Sequence, residues 1–301
     1  MNELDRLVEP ATADIVYETA EPVRYEVVGP VAHIVLNRPK YNNAQNSQMT
    51  YALDAAFRRA VDDDAVRAIV LRGEGKHFSA GHDIGTPGRD VTASWDRVGL
   101  FPDHTNKPGV EFLYTREHEV YLTMCRRWRD VPKPTIAAVQ GACVAGGLML
   151  AWVCDIIVAS DDAFFQDPVN RMGSPGVEYF AHGFELPPRI AKEFILLGER
   201  MSAERAYNFG MVNRLSTRET LLDDVQKIGE ELASRPRLSN WLTKQALNHV
   251  EDLRGKRTAT DAHFHMHHFA HAQSDLTSSN SLGGMDSRSM AAANKKQAGE
   301  G

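Results

Sequence analysis

The chain has 301 residues, of which 43% are hydrophobic and 25% are charged, so it is long enough to fold around a substantial core. Its 34 basic and 40 acidic residues give a formal net charge of −6, and the basic residues form no stripe that could follow a phosphate backbone. The composition therefore argues against nucleic-acid binding and favours one large globular domain with an appendage.

Cysteine usage and the N-terminus predict a cytoplasmic protein. The three cysteines, Cys125, Cys143 and Cys154, show no CxxC spacing, and two of them lie in apolar runs where a reduced thiol packs as a small hydrophobic group. Residues 1–22 are acidic and lack the basic start and apolar stretch of a signal peptide. Residues 135–159 are strongly apolar, but their pattern separates into strand, turn, helix and strand, so we predict no membrane span.

The first half of the chain alternates strands and helices. "VRYEVVGPVAHIVLNRP" predicts a hairpin, and "SQMTYALDAAFRRAVDDD" predicts an amphipathic helix with Ser47 as its N-cap. "VRAIVLRGEG" predicts a buried strand that leads into a glycine-rich loop, which makes a right-handed crossover. After a long irregular stretch from Thr86 to Gly109, "VEFLYTREHEVYLTMCRRWRDV" predicts one long helix, and "KPTIAAVQG" predicts a second buried strand.

The second half is predominantly helical. Gly198 and Gly210 are predicted to end helices, and two amphipathic helices follow. The small, polar residues near the C-terminus predict a mobile tail. We therefore divide the chain into an N-terminal extension (1–22), a core (23–235), a helical C-terminal subdomain (236–275) and the tail (276–301).

Two glycine turns share one design. "GKHFSAGHD" and "GACVAGGLM" each follow a buried strand, and their small residues allow close approach and leave amide N–H groups free. Paired amides that point at one place stabilise the oxyanion or enolate oxygen of acyl chemistry. The alternative is that the glycines serve only tight turns and close helix packing.

Five segments together resemble the crotonase superfamily, the enoyl-CoA hydratases and isomerases. They are "LNRPKYNNAQNSQM", "GEGKHFSAGHDI", "KPTIAAVQGACVAGGLMLAWVCDIIVAS", "FFQDPVNRMG" and "MSAERAYNFGMVNRL", and the resemblance extends over residues 23 to 250. It implies an α/β fold with a crotonase-like ββα spiral core and a helical C-terminal subdomain. It also implies a homo-trimer or a dimer of trimers that acts on a coenzyme A thioester without a tightly bound cofactor.

The resemblance also assigns binding positions. The thioester oxygen would lie between the backbone amides of His82 and Gly146. The coenzyme A moiety would run along two stretches of chain: Asn43 and Ala44, then Ser79, Ala80, Gly81, Asp83 and Ile84.

Hydratases of this family carry two glutamates, and both positions are apolar here. They correspond to Met149 and Val169, and neither side chain can exchange a proton. Losing one general acid or base costs about 10² to 10⁴ in rate, so ordinary two-glutamate hydration is not expected. Either the acid has moved, or the reaction needs only enolate stabilisation, or catalysis has been lost while binding persists.

Glu178 is the candidate for a relocated acid. It lies in "GSPGVEYFAHGFELPPR", which is slightly longer than the matching family loop, and Tyr179 and His182 could assist it. The alternative is a solvated loop acid. Asp167 is a second candidate, although capping of the turn after Pro168 is the favoured interpretation. The His82 side chain could face solvent or the cofactor.

"DAHFHMHHFAHAQ" places His263, His267 and His271 on one helical face. We predict no metal site there, because no carboxylate or cysteine accompanies these histidines by spacing. A polar face towards solvent or another subunit is favoured. The remaining possibility is a helix that covers the acyl pocket and provides His267 or His271 for chemistry.

We therefore predict an enzyme of acyl-CoA thioesters that works through a stabilised enolate. Isomerisation, hydration or dehydration by altered residues, and hydrolysis of a carbon–carbon bond beside a ketone all fit. The long stretch from Thr86 to Gly109 suggests an unusual or bulky acyl group. The alternative is a non-catalytic acyl-CoA-binding or assembly protein that retains the fold.

Overall fold

The computed structural model describes residues 20–86, 89–278, 283–286, 289–290 and 292–293. Within them, one sheet has six strands in the order β1-β2-β3-β4-β6-β9 and a second sheet has the order β5-β7-β8. The strands are β1 (Val23–Val28), β2 (Val31–Leu36), β3 (Ala68–Gly73), β4 (Thr135–Val139), β5 (Ala142–Val144), β6 (Ile156–Ser160), β7 (Phe164–Gln166), β8 (Met201–Ser202) and β9 (Arg214–Ser216).

The large sheet is parallel except for the first hairpin. β1 pairs antiparallel with β2, and β2, β3, β4, β6 and β9 run parallel. Every residue of β4 is buried, as its continuous apolar run predicts for a strand covered on both faces. β2, predicted only as a strand of a hairpin, is fully buried as well. The carboxyl ends of β3 and β4 lead into the two glycine turns, so neighbouring strands deliver both turns to one edge of the sheet.

Ten helices have been assigned in the described part of the chain. They are α1 (Ser47–Asp62), α2 (Gly109–Glu117), α3 (Met124–Arg129), α4 (Gly146–Trp152), α5 (His182–Glu185), α6 (Pro188–Leu197), α7 (Ala203–Asn208), α8 (Leu221–Ser234), α9 (Arg237–Leu253) and α10 (Lys256–Ser278). The predicted N-cap of α1 was wrong by one residue. Asn46 is the cap and its side chain accepts a hydrogen bond from the amide of Met49, because Ser47 already has the first helical position.

The segment predicted as one long helix is interrupted in the middle. α2 and α3 are joined by a π-helical turn, His118–Thr123. In such a turn the backbone hydrogen bonds span five residues instead of the four of an α-helix. Such turns are frequent at functional sites because they rotate the side chains that follow relative to a regular helix. Glu117, just before this turn, and Tyr121, within it, are both buried.

α9 and α10 form the C-terminal helical region. α10 continues to Ser278, so residues 276–278, predicted as the start of a mobile tail, are helical. Residues 283–286 also pack on the core: the amides of Gly284 and Met285 donate to the carbonyls of Met172 and Arg171. The rest of the predicted tail, and residues 1–19 of the predicted N-terminal extension, lie outside the described residues, apart from four residues between 289 and 293.

The apolar stretch 135–159 folds as predicted into strand, turn, helix and strand. None of the helices within the described ranges combines the length and the apolar character that a bilayer crossing requires. The three cysteines are unpaired, and Cys125 and Cys143 are buried in apolar surroundings.

Candidate active site

The two glycine turns lie directly against each other. Short parallel bridges pair Ser79 with Cys143 and Gln45 with His82, which joins the first turn to both neighbouring segments. Gly81 has φ +97°, and a Cβ there would lie 3.1 Å from the amide nitrogen of Gly146. Glycine is therefore required at 81 both for its backbone conformation and for the close approach of the second turn.

The amides of His82 and Gly146 border this contact. Neither N–H group has a hydrogen-bond acceptor within the described ranges, whereas the flanking amides of Asp83 and Ala145 donate to Gln45 and Gln166. Gly146 is the first residue of α4, so its amide has no partner in the helix. That these two amides hold one acyl oxygen stays a prediction.

The imidazole of His82 covers the same place. Its Cε1 lies 2.5 Å from where a Cβ of Gly146 would be, and the ring stacks on Tyr121 with 3.7 Å between centroids. Its Nε2 lies 2.8 Å from Oε2 of Glu178. Tyr121 and Glu178 hold this side chain against the second turn with 17% of it exposed, so it does not extend into solvent, and its contact with the cofactor stays a prediction.

Glu178 is buried with only 3% of its surface exposed. Burial acts to raise the pKa of this carboxyl, but the neighbouring imidazoles of His82 and His267 outweigh burial and lower the pKa below its ordinary value. The second oxygen, Oε1, lies 3.6 Å from Nε2 of His267. An ionised carboxylate is thus held between two imidazoles beside the glycine turns.

The loop before α5 bends to bring Glu178 inward. Gly176 has φ +135°, and the amide of Val177 donates to Oδ2 of Asp167 at 3.4 Å. The amide of Tyr179 lies 3.4 Å from the sulfur of Met149. The residues on both sides of Glu178 are therefore held by the protein interior, which leaves its carboxylate directed at His82.

Asp167 and His182 form a separate buried pair. Oδ2 of Asp167 lies 2.8 Å from Nε2 of His182, and both side chains are 0% exposed. Oδ1 of Asp167 also accepts from the amide of Val169, as the capping interpretation predicted. The suggestion that His182 assists Glu178 was wrong: its imidazole is paired with Asp167 instead.

Tyr179 likewise does not join Glu178. Its side chain lines a small cavity with Arg129 and Lys256, and neither His82 nor Glu178 lines that cavity. Burial raises the pKa of Tyr179 above its ordinary value, and the two cations only partly offset that effect. The side chains of Glu178 and Tyr179 therefore contact different groups, although the two residues are neighbours in the chain.

Glu117 is a residue that sequence reasoning missed. It ends α2 and is 7% exposed. Burial raises the pKa of Glu117 most, and the nearby negative charge of Glu178 raises it further. A signal existed, because Glu117 occupies the same helical stripe as Tyr121, Met124 and Trp128. An acid on an otherwise apolar stripe indicates a buried charge that needs a partner.

α10 covers this group of residues. His263, His267 and His271, predicted to face solvent or another subunit, are all buried in the structure. The prediction failed because helical spacing identifies a face but not what covers it. Here α10 packs on α2 and brings His267 beside Glu178.

The sequence model of the enoyl-CoA hydratase/isomerase family matches residues 26–97 and 109–286. The chain belongs to this family. It is 40% identical over 263 residues to EchA13 of Mycobacterium tuberculosis, a protein named as an enoyl-CoA hydratase, with 84% of this chain and 81% of that protein covered. It is 31% identical to the 1,2-epoxyphenylacetyl-CoA isomerase of Escherichia coli, with 73% and 79% covered.

Solved structures agree with this assignment. A Mycobacterium smegmatis protein described as a probable enoyl-CoA hydratase superposes with a TM-score of 0.77 at 41% identity, over 86% of this chain and 98% of that chain. A second, from Mycobacterium thermoresistibile, gives 0.75 at 41% identity, over 84% and 97%. The predicted crotonase fold is therefore confirmed.

The two positions that the family resemblance assigns to glutamates are filled by packing residues. Met149 is fully buried in α4, and Val169 lies in the 3₁₀ turn Val169–Met172, partly buried against the core. The sulfur of Met149 contacts the amide of Tyr179, next to Glu178. Met149 thus supports the loop that carries the buried acid.

The predicted coenzyme A segments are largely occupied by the protein's own contacts. The side-chain amide of Asn43 donates to the carbonyls of Glu74 and His77, and the Ser79 hydroxyl donates to the carbonyl of Asn43. The structure places the other predicted positions along the same edge: Ala44, Ala80, Gly81, Asp83 and Ile84. Arg38 forms an ion pair with Asp83 and also contacts the carbonyl of Ala44. The backbone amide of Ala80 donates to the carbonyl of Asn42, and Ile84 is exposed. Contacts with coenzyme A there remain a prediction.

Replacing Asp167 with alanine is expected to lower the free energy of unfolding by about 3 kcal/mol, because His182 and the Val177 amide would lose their buried partner. Urea unfolding of the two proteins measures the difference. Asp64→Ala is the control, since that exposed carboxylate pairs only at the surface and its loss should cost under about 1 kcal/mol. A stable Asp167→Ala protein that had lost turnover would instead assign Asp167 to the chemistry.

Proposed function

We propose that this protein catalyses proton transfer at the carbon next to the carbonyl of a coenzyme A thioester. The amides of His82 and Gly146 hold the thioester oxygen, and Glu178 carries the proton. One observation supports this most: the Glu178 carboxylate lies 2.8 Å from the His82 imidazole, whose ring covers Gly146. A buried base therefore sits one side chain away from the predicted oxyanion position.

The chemistry follows from these positions. Two amides preset around the carbonyl oxygen stabilise the charge that develops there as the α-proton leaves. Glu178, ionised and buried, accepts that proton directly or through the His82 imidazole, which would take it at Nδ1 and pass it on from Nε2, the nitrogen in contact with Glu178. The enolate then collapses in one of two ways. Return of the proton to a more distant carbon moves a double bond, and its transfer to a β-hydroxyl, which leaves as water, forms one.

A site in which Glu178 is the proton carrier favours reactions in which one group both removes and returns the proton. Double-bond isomerisation has this requirement, whereas two-glutamate hydration needs a second acid where this chain has Met149 or Val169. Similar proteins carry the names isomerase, dehydratase and hydratase, which keeps the proposal within one group of reactions. We therefore place isomerisation first and dehydration second.

The proposal is tested by incubating the protein with a panel of saturated and β,γ-unsaturated acyl-CoA thioesters, straight, branched and cyclic, in D₂O. Deuterium incorporation next to the carbonyl, read by mass spectrometry, is expected for at least one of them. The enoyl absorbance band reports any double bond that forms or moves. Binding of these thioesters without exchange would favour the alternative, a non-catalytic acyl-CoA-binding protein.

A further inference from the structure

Three buried side chains outside the family's known machinery meet at one point. Glu117, His267 and His271 each offer one ligand atom, and these atoms all lie within 4.8 Å of one another. We call them the ligand cluster. Glu117 comes from α2 and the two histidines from α10, one turn apart, so the cluster exists only where the two helices pack.

The hydrogen bonding of His267 directs its free nitrogen into the ligand cluster. Nδ1 lies 2.7 Å from the carbonyl of Gly176, which can only accept, so Nδ1 carries the proton in the neutral ring. Nε2 then presents its lone pair and accepts the 2.8 Å hydrogen bond from Nε2 of His271, which would give up that proton on binding a metal ion. A backbone carbonyl on the far nitrogen is the arrangement that orients metal-binding histidines.

Glu117 provides an independent sign that a ligand belongs here. Its Oε2 is buried and has no hydrogen-bond partner within the described part of the chain, although it lies 3.8 Å from Nε2 of His267. Nε2 of His268, at 3.4 Å, is also without a hydrogen bond among the described residues. A buried carboxyl oxygen without a hydrogen-bond partner is costly, and a cation between it and the imidazoles would satisfy that oxygen.

We propose that the ligand cluster binds a divalent first-row transition metal ion, with zinc as the best match. Two imidazole nitrogens and one carboxylate oxygen are a ligand set that zinc adopts, with a fourth position left for water or another oxygen. Tetrahedral bonds of about 2.0–2.1 Å place ligand atoms roughly 3.3 Å apart. Zinc binding would therefore bring the Glu117 oxygen slightly closer to His267 and move the His271 nitrogen slightly away from it.

The structure removes the objection that the sequence raised. The sequence prediction attached no carboxylate to the three histidines, and Glu117 provides one from a different helix, α2. Zinc binding can be measured without acyl-CoA, so failure of the metal proposal and failure of the proposed reaction at Glu178 are distinguishable.

Metal content and zinc titration test the proposal. The full chain, produced in zinc-supplemented medium, is expected to contain about one zinc per chain by elemental analysis. After chelation it should bind added zinc chloride in a calorimetric titration. Glu117→Gln and His271→Gln are each expected to weaken zinc binding at least about hundredfold, since even the loss of an outer partner costs 10- to 100-fold.

The matched control is His265→Gln, on the same helix but exposed to solvent, which should leave zinc binding unchanged. Circular dichroism confirms that each variant is folded. If a variant does not fold, the visible absorption of the wild-type protein loaded with cobalt(II) still tests for tetrahedral nitrogen ligation. Substoichiometric zinc, affinity unaltered by Glu117→Gln and His271→Gln, or affinity lost in His265→Gln would each overturn the proposal.

Discussion

Replacing Glu178 with glutamine is expected to lower the turnover number by about 10²- to 10⁴-fold, which is the usual range for one general base. The amide has nearly the same shape and can still hydrogen-bond to Nε2 of His82, 2.8 Å away, so the fold of the loop should survive. What disappears is the ability to take a proton. Steady-state kinetics on the thioester that exchanges deuterium fastest measures the effect.

Most of the loss should fall on kcat, because Glu178 is assigned to the reacting proton and not to coenzyme A. Glu185→Gln is the matched control: this glutamate is also largely buried, but it lies on α5 and pairs with Lys256. It should reduce stability and leave kcat unchanged. Undiminished deuterium exchange in Glu178→Gln would clear this residue and end the relocated-acid hypothesis.

Gly146→Ala is expected to reduce kcat/KM by about 10²- to 10³-fold, comparable to the loss of one oxyanion donor. The added Cβ would lie 2.5 Å from Cε1 of His82 and 3.1 Å from the amide nitrogen of Gln45. The imidazole would have to leave its place, which breaks its contact with Glu178 and shifts the backbone at the predicted oxyanion position. Kinetics on the same thioester measures the loss.

Gly183→Ala is the control, because a Cβ there meets nothing within 4 Å. It adds the same methyl group elsewhere and should leave both activity and thermal unfolding close to those of the wild-type protein. Full activity in Gly146→Ala would mean that the His82 ring moves at no catalytic cost. The positions of both His82 and the second turn would then play no part in the reaction.

Local patterns predicted the framework of this protein well. The apolar runs of β3 and β4 identified buried strands, because a strand covered on both faces has no polar alternation. The αL conformation at the end of α6 followed from Gly198, which tolerates positive φ. The slightly long loop before α5 was enough to single out Glu178, although its direction could not be predicted.

Residues that meet only through packing could not be predicted. Spacing along α10 identified a histidine face, but only the contact of α10 with α2 shows that the face is buried and that Glu117 lies opposite it. The π-helical turn between α2 and α3 sets which way Tyr121 points, and thereby what the His82 ring stacks on.

By itself, the sequence determined the strand and helix order, the two glycine turns and the absence of an acid at Met149 and Val169, because these depend on residue type and short spacing. The tertiary structure alone decided which buried groups share a site. Glu178 faces His82, Asp167 takes His182, and Tyr179 turns away. Partners distant along the chain are chosen by the packing of whole elements, and short patterns carry no information about that packing.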